Sequence, residues 1–177
     1  MLLIYMDKNK GQSLVEALIA VAVVIILITG IVAGTTSSLR ASAYARARSE
    51  ATKLVQQGME IARNDRDQGW SDFADLDLDP VAGTRTYYCV GSVSSVFGNA
   101  NKNYTTDAEA LSYCESSGSI SIPAGSLNIS YVRFLVFEIN PAGTSTDTMW
   151  VRTVVRWREG SNYRTSQAET YMTSAWE

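Results

Sequence analysis

The chain has 177 residues, 46% hydrophobic and 19% charged, with a formal net charge of -3 and no histidine. A balance this close to neutral offers no strong field to nucleic acid or to an acidic surface. Without histidine, the commonest general base and the commonest metal ligand are both missing, which removes most hydrolytic triads and zinc sites.

The length allows one domain, or a membrane segment followed by one modest domain. Residues 1–10 read MLLIYMDKNK, in which Met1 and Met6 are alternative starts and Lys8 and Lys10 precede an apolar run. From Ala17 to Ile28 no side chain is polar, and only Thr29 interrupts the run before Gly34. That reaches the roughly 18 residues at which a membrane helix is the default reading, so residues 14–34 are expected to span. No further cation occurs until Arg40, so the lysines keep the amino end cytoplasmic and send the remainder outside. Glu16 stands at the entrance of the run. An acid at the centre of a membrane helix costs about 2.5–3.5 kcal/mol, so this one calls for a compensating partner.

Three readings of this end compete. A secretory signal peptide would use Ala41-Ser42-Ala43 as an A-x-A-like cleavage site, but its apolar core is shorter than this run and a discarded segment has no use for Glu16. A plain signal anchor explains the length and the lysines, not Glu16 or Gly11. The third reading is a resemblance. Gly11-Gln12-Ser13-Leu14-Val15-Glu16, set between a basic stub and a long apolar helix, resembles the class III leader of type IV prepilins and type II secretion pseudopilins.

The resemblance implies cleavage by a prepilin peptidase between Gly11 and Gln12, N-methylation of Gln12 as the first mature residue, and a role for Glu16 in assembly. Gln12 stands where the family usually has Phe. Cleavage on the cytoplasmic side would remove Lys8 and Lys10, leaving a subunit that can leave the bilayer for a filament. In a bundle of such helices, the Glu16 carboxylate can pair with the cationic amino terminus of a neighbour, relieving a charge that lipid disfavours. The fold implied is the type IV pilin fold, α+β, with a long N-terminal helix, half of it transmembrane, packed on a C-terminal antiparallel sheet. The function implied is that of a structural subunit, a minor pilin of a type IV pilus-like filament, with no catalytic activity, cofactor or metal. Its expected partners are other pilin subunits, the prepilin peptidase, the pilus assembly platform and, before assembly, membrane lipid; nucleic acid is not expected. The expected location is the cytoplasmic membrane, crossed once, and then an extracellular pilus or pseudopilus. The alternatives are a type II secretion pseudopilin and a signal-anchored extracellular binding domain that does not polymerise.

Beyond Gly34 a helical stripe continues. Leu39, Ala43, Ala47, Ala51, Leu54, Val55, Gly58, Ile61 and Ala62 recur at threes and fours, with Arg40, Arg46, Arg48, Glu50, Lys53 and Glu60 off the stripe. One helix is expected to about Asp65, about 78 Å long from Ser13 at 1.5 Å per residue. The chain then divides into a leader (1–11), a spine helix (12–65) and an extracytoplasmic β-rich domain (66–177). Gly30 and Gly34 form a small-xxx-small pair that permits close helix approach.

Asn64 to Pro80 breaks the periodicity. Asp75, Asp77 and Asp79 alternate like the first ligands of a calcium loop, but Pro80 and Thr86 stand where glycine and glutamate are needed, so a solvated acidic loop is expected. Cys89 and Cys114 are the chain's two cysteines. In an oxidising compartment they would close one disulfide worth about 3 kcal/mol; two unrelated thiols are the alternative. Residues 98–125 are polar and read as a long surface connection.

Strands are expected near Arg85–Val93, Asn128–Ile139, Thr148–Arg158 and Ser166–Trp176. In the third, Met149, Val151, Thr153, Val155 and Trp157 share one face and Arg152, Arg156 and Arg158 the other, the pattern of a sheet buried on one side and wet on the other. Turns at Pro141-Ala142-Gly143 and Gly160-Ser161-Asn162 make the last three strands a meander. Arg152, Arg156, Arg158 and Arg164 could compose a basic patch for DNA, against a solvated strand face balanced by acids elsewhere, which is the expectation. The closing segment, from Val154-Val155-Arg156-Trp157 to Ala175-Trp176, resembles the final hairpin of minor pilins and I-type pseudopilins.

Overall fold

The computed structural model describes residues 10–76, 85–91, 101–103, 106–117, 119–124, 127–139 and 147–174; for residues 10–13, 101–103, 117, 124 and 127 it describes the backbone alone. The leader before Lys10, the acidic positions Asp77 and Asp79, Pro80, the turn at 141–143 and Trp176 lie outside the described residues. The elements in chain order are α1 (Lys10–Gln68), α2 (Trp70–Ala74), β1 (Thr86–Cys89), β2 (Asn101–Asn103), α3 (Asp107–Ser117), β3 (Ser119–Ala124), β4 (Leu127–Ile139), β5 (Thr148–Glu159) and β6 (Asn162–Thr173). A long N-terminal helix followed by an antiparallel sheet is the α+β arrangement of the type IV pilin fold. α1 ends at Gln68, slightly beyond the expected Asp65. The chain divides into two compact units, one up to Ala43 and one from Tyr44 onward.

The first unit is helical over its described residues. The second is built on a sheet of order β2-β1-β4-β5-β6, with β3 also paired to β4. Every pairing is antiparallel, and β4 is long enough to hold β1 along Phe134–Phe137 and β3 along Leu127–Val132 on the same edge. Gly160 and Ser161 form the two-residue loop between β5 and β6, and Gly160 adopts φ 64°, where only glycine sits without strain.

One face of the sheet receives α1. Ala47, Ala51, Leu54 and Val55 pack on Tyr131, Val155 and Trp157, and Met59 and Ala62 pack with Met149, Val151 and Leu135. The stripe read from the sequence is buried from Ala47 onward except at Ile61, which is partly buried, whereas Leu39 is exposed. Three alanines and Gly58 on this stripe bring backbone close to strand, and a Cβ on Gly58 would lie 2.4 Å from Thr153 Cγ2. At one end α2 closes the core: Phe73 meets Phe137 edge-on at 5.7 Å, Tyr88 meets it at 5.4 Å, and the Tyr88 hydroxyl donates to the Leu76 carbonyl.

The other face differs from the expectation of a wet surface. α3 covers it, and Ala110 and Cys114 pack with Tyr87, Val132, Phe134, Val136, Trp150 and Val154. The stretch expected to be a surface connection therefore contains a helix and two strands, β2 and β3. Cys89 and Cys114 are bonded, which fastens α3 to β1. The Asp107 carboxylate at the start of α3 accepts from Arg152 at 2.6 Å and from the Tyr87 hydroxyl at 3.0 Å. Burial pushes the Tyr87 hydroxyl pKa up, and Asp107 adds to the rise.

Candidate functional site

The sequence places function at the amino end of α1. Gly11 and Gln12 have helical backbone, and their side chains are outside the described set. Glu16 is exposed on the helix surface beside Leu14, Val15, Leu18 and Ile19, each more than half exposed. From Ala17 to Leu39 there is no charged residue, a length of about 34 Å at helical rise, against about 30 Å for the hydrocarbon core of a bilayer. The mean hydropathy of its most apolar window is 2.9, and none of that window is buried by the described residues.

The three threonines in this stretch bond back to the helix's own carbonyls. The Thr29 hydroxyl donates to the Ile25 carbonyl at 2.7 Å, and the hydroxyls of Thr35 and Thr36 donate to the Val32 carbonyl at 3.0 Å. Such back-bonding lets a hydroxyl sit in hydrocarbon without an orphaned donor. Gly30 and Gly34 have no heavy atom within 4 Å of a built Cβ. Packing among the described residues therefore does not demand glycine there.

The second unit holds a residue that composition alone did not mark. Arg133 lies inside the apolar strand β4 and is only 3% exposed. Its guanidinium donates to the carbonyls of Val90 (2.8 Å), Gly91 (2.6 Å) and Leu54 (3.2 Å) and to Gln57 Oε1 (3.4 Å). All four acceptors are neutral. Burial lowers the Arg133 pKa from the usual arginine value, so this cation ties α1, β4 and the end of β1 together by dipoles rather than by an ion pair. A charged residue in the middle of SYVRFLVFEI was the available signal. A groove of about 890 Å³ runs beside it between α1 and β3, with Leu54, Ile61, Ile120 and Ile122 among its lining.

The four arginines of the conceivable basic patch do not converge. Arg152 is held by Asp107, whereas Arg164 pairs with Glu159 at 2.7 Å on the opposite face, where Arg48 of α1 also approaches the same carboxylate at 3.7 Å. Arg156 lies over the Tyr163 ring at 3.9 Å, and Arg158 donates to the Gly160 carbonyl. Arg85 and Arg152 flank the Trp150 ring at 5.1 and 5.3 Å. The hydrogen bond to Glu138 raises the Arg85 pKa above its usual value, and burial opposes that rise. These cations serve the packing of the sheet.

Comparison with known proteins places one assignment on this geometry. The family described as the prokaryotic N-terminal methylation motif matches residues 6–32, which contain Gly11, Gln12, Glu16 and the charge-free helix up to Val32. The chain thus carries a type IV pilin-like prepilin signal. No curated protein and no solved structure matches the chain.

Proposed function

We propose that the protein is a minor pilin, a structural subunit of a type IV pilus-like filament that is cleaved after Gly11 and assembled through α1. The single observation that carries this is the continuity of the methylation motif with a helical stretch whose most apolar window is wholly unburied by the described residues. A segment of that kind has two favourable surroundings, lipid before assembly and other helices after it. Gln12 becomes the first mature residue and the methylated one. Glu16, near the amino end and surrounded by apolar side chains, gains a partner when the cationic terminus of a neighbouring subunit lies beside it. Gly30 and Gly34 supply the close approach between helices. The unit from Tyr44 onward sits outside the cytoplasmic membrane, where the disulfide persists. The protein acts through its assembly and has no catalytic chemistry of its own.

Two substitutions separate processing from assembly. Gly11→Ala should leave the leader attached, read as an unprocessed mass. Glu16→Ala should be processed normally but enter filaments poorly, read as a loss of sheared surface material at unchanged cellular level. Normal size and normal surface assembly in both variants would sink the proposal. The same two variants, measured for secretion rather than for surface fibres, distinguish the type II secretion pseudopilin.

A further inference from the structure

The face of the sheet under α3 is a core of its own. Tyr87, Val132, Phe134, Val136, Trp150 and Val154 gather there with Ala110 and Cys114, while the residues packed under α1 form two other clusters that take nothing from α3. β1 shows the division residue by residue: Tyr87 and Cys89 face α3, and Tyr88 between them faces the opposite core. Loss of α3 would uncover one side of the sheet and leave the α1 side packed.

α3 has little apolar hold on what it covers. Among its described residues only Ala110 and Cys114 are buried, with Leu111 and Tyr113 partly so. Its 11 residues fall short of the roughly 12–15 at which a helix holds by itself in water, so the sheet must keep it folded. Two clamps do so beside the alanine. At its start Asp107 is bonded to Arg152 and to the Tyr87 hydroxyl, and about one turn from its end Cys114 is bonded to Cys89. The strands on either side of it in the chain, β2 and β3, are both paired into the sheet. α3 is thus pinned at both ends and opens by unwinding rather than by swinging away.

The two cysteines differ in access. Cys114 is fully buried, whereas Cys89 is only partly so, and an incoming thiolate reaches the more accessible sulfur first. We propose that the Cys89–Cys114 bond is a redox switch for α3: exchange with an external dithiol enters at Cys89, and reduction unwinds α3 from the sheet while the α1 side of the fold stays intact. In the first step the dithiol's thiolate bonds to Cys89 Sγ, and the electron pair of the broken S–S bond leaves with Cys114 Sγ, which takes up a proton. In the second, the dithiol's other sulfur displaces Cys89. The dithiol departs as a disulfide, and the protein holds two thiols, richer by two electrons and two protons. An oxidising compartment closes the switch and a reducing one opens it. The inference rests on the unit from Tyr44 onward and not on the filament reading.

The test compares the full detergent-solubilised chain before and after dithiothreitol by amide hydrogen exchange. Reduction should speed the amides from Ala110 to Ser116 by at least about tenfold and leave those of Val151 to Val155 and of Ala51 to Ala62 unchanged. A glutamate-specific protease should cut after Glu109 and Glu115 correspondingly faster in the reduced chain. Brief exposure to glutathione, quenched by alkylation, should place glutathione on Cys89 and the alkyl label on Cys114. Asp107→Asn with the disulfide intact should keep the α3 amides slow. Because the chain is reduced after folding, the result does not depend on a variant that fails to fold. A bond that resists dithiothreitol in the folded chain, α3 amides as slow after reduction as before, or acceleration of β5 and α1 by the same factor would each overturn the inference. So would glutathione on Cys114, or an open α3 in oxidised Asp107→Asn.

Discussion

Gly58 of α1 and Thr153 of β5 are in contact with no room for a side chain between them: a Cβ on Gly58 would lie 2.4 Å from Thr153 Cγ2 and 3.0 Å from its Oγ1. Glycine costs roughly 1 kcal/mol in a helix interior relative to alanine, so its presence reflects the demand for close approach. Gly58→Ala should therefore destabilise the second unit by about 1–3 kcal/mol in spite of its better helix propensity. Thermal unfolding measures this, and Thr153→Ala on the same background should restore part of the loss. An unchanged or raised Tm for Gly58→Ala would show that the helix does not sit against β5 as described.

Arg133 predicts a different kind of loss. Replacing it by Met keeps an apolar stem in the core but leaves the Val90 and Gly91 carbonyls without their donor. A buried unsatisfied acceptor costs about 1–3 kcal/mol. Arg133→Met should lower stability by about that amount and loosen the end of β1, seen as faster amide exchange near Val90, with processing at Gly11 unchanged.

Alkaline stability follows from two tyrosines. Tyr131 donates to the Ala47 carbonyl and its pKa is raised by burial, with Glu50 adding to the rise; Tyr87 is raised by burial and by Asp107. In the unfolded chain both titrate near about 10. A raised folded value means the folded state holds the proton more tightly, so the contribution is complete below about pH 10 and is lost as pH rises through the folded pKa values. Unfolding midpoints should be flat from neutral pH to about pH 9.5 and fall above pH 10. Tyr131→Phe should be less stable at neutral pH and show a shallower alkaline decline. An equally steep decline in Tyr131→Phe and Tyr87→Phe would contradict this assignment.

Much of this was legible in the sequence where one face of an element does one job. The α1 stripe from Ala47 to Ala62 and the run of β5 through Val151, Thr153, Val155 and Trp157 are periodic because each faces a single partner. The second layer was hidden for the opposite reason. β5 is buried on both faces at Trp150 and Val154, but Arg152 and Arg156 lie between and beside them, so the alternation read as solvent-facing. α3 has the composition of a loop, DAEALSYCESS, and its burial rests on Ala110, Cys114 and the partly buried Leu111. One local signal was present. Thr106 followed by Glu109 is a capping-box pattern, and the Glu109 N–H does donate to the Thr106 hydroxyl at 3.4 Å. At the amino end, Gly11, Gln12 and Glu16 were legible because they stand in the motif that the family match covers at residues 6–32; under the proposed function their spacing serves recognition by a peptidase and by a neighbour rather than packing within the chain. The edge character of β6 was not, since strand order is set by pairings distant in sequence.

The most direct measurement is the mass and sequence of the mature amino terminus of the membrane-extracted protein. Processing as a prepilin predicts that the chain begins at Gln12, heavier by one methyl group, with Glu16 retained. A chain that begins at Tyr44, or one that still carries Lys8 and Lys10, would contradict it.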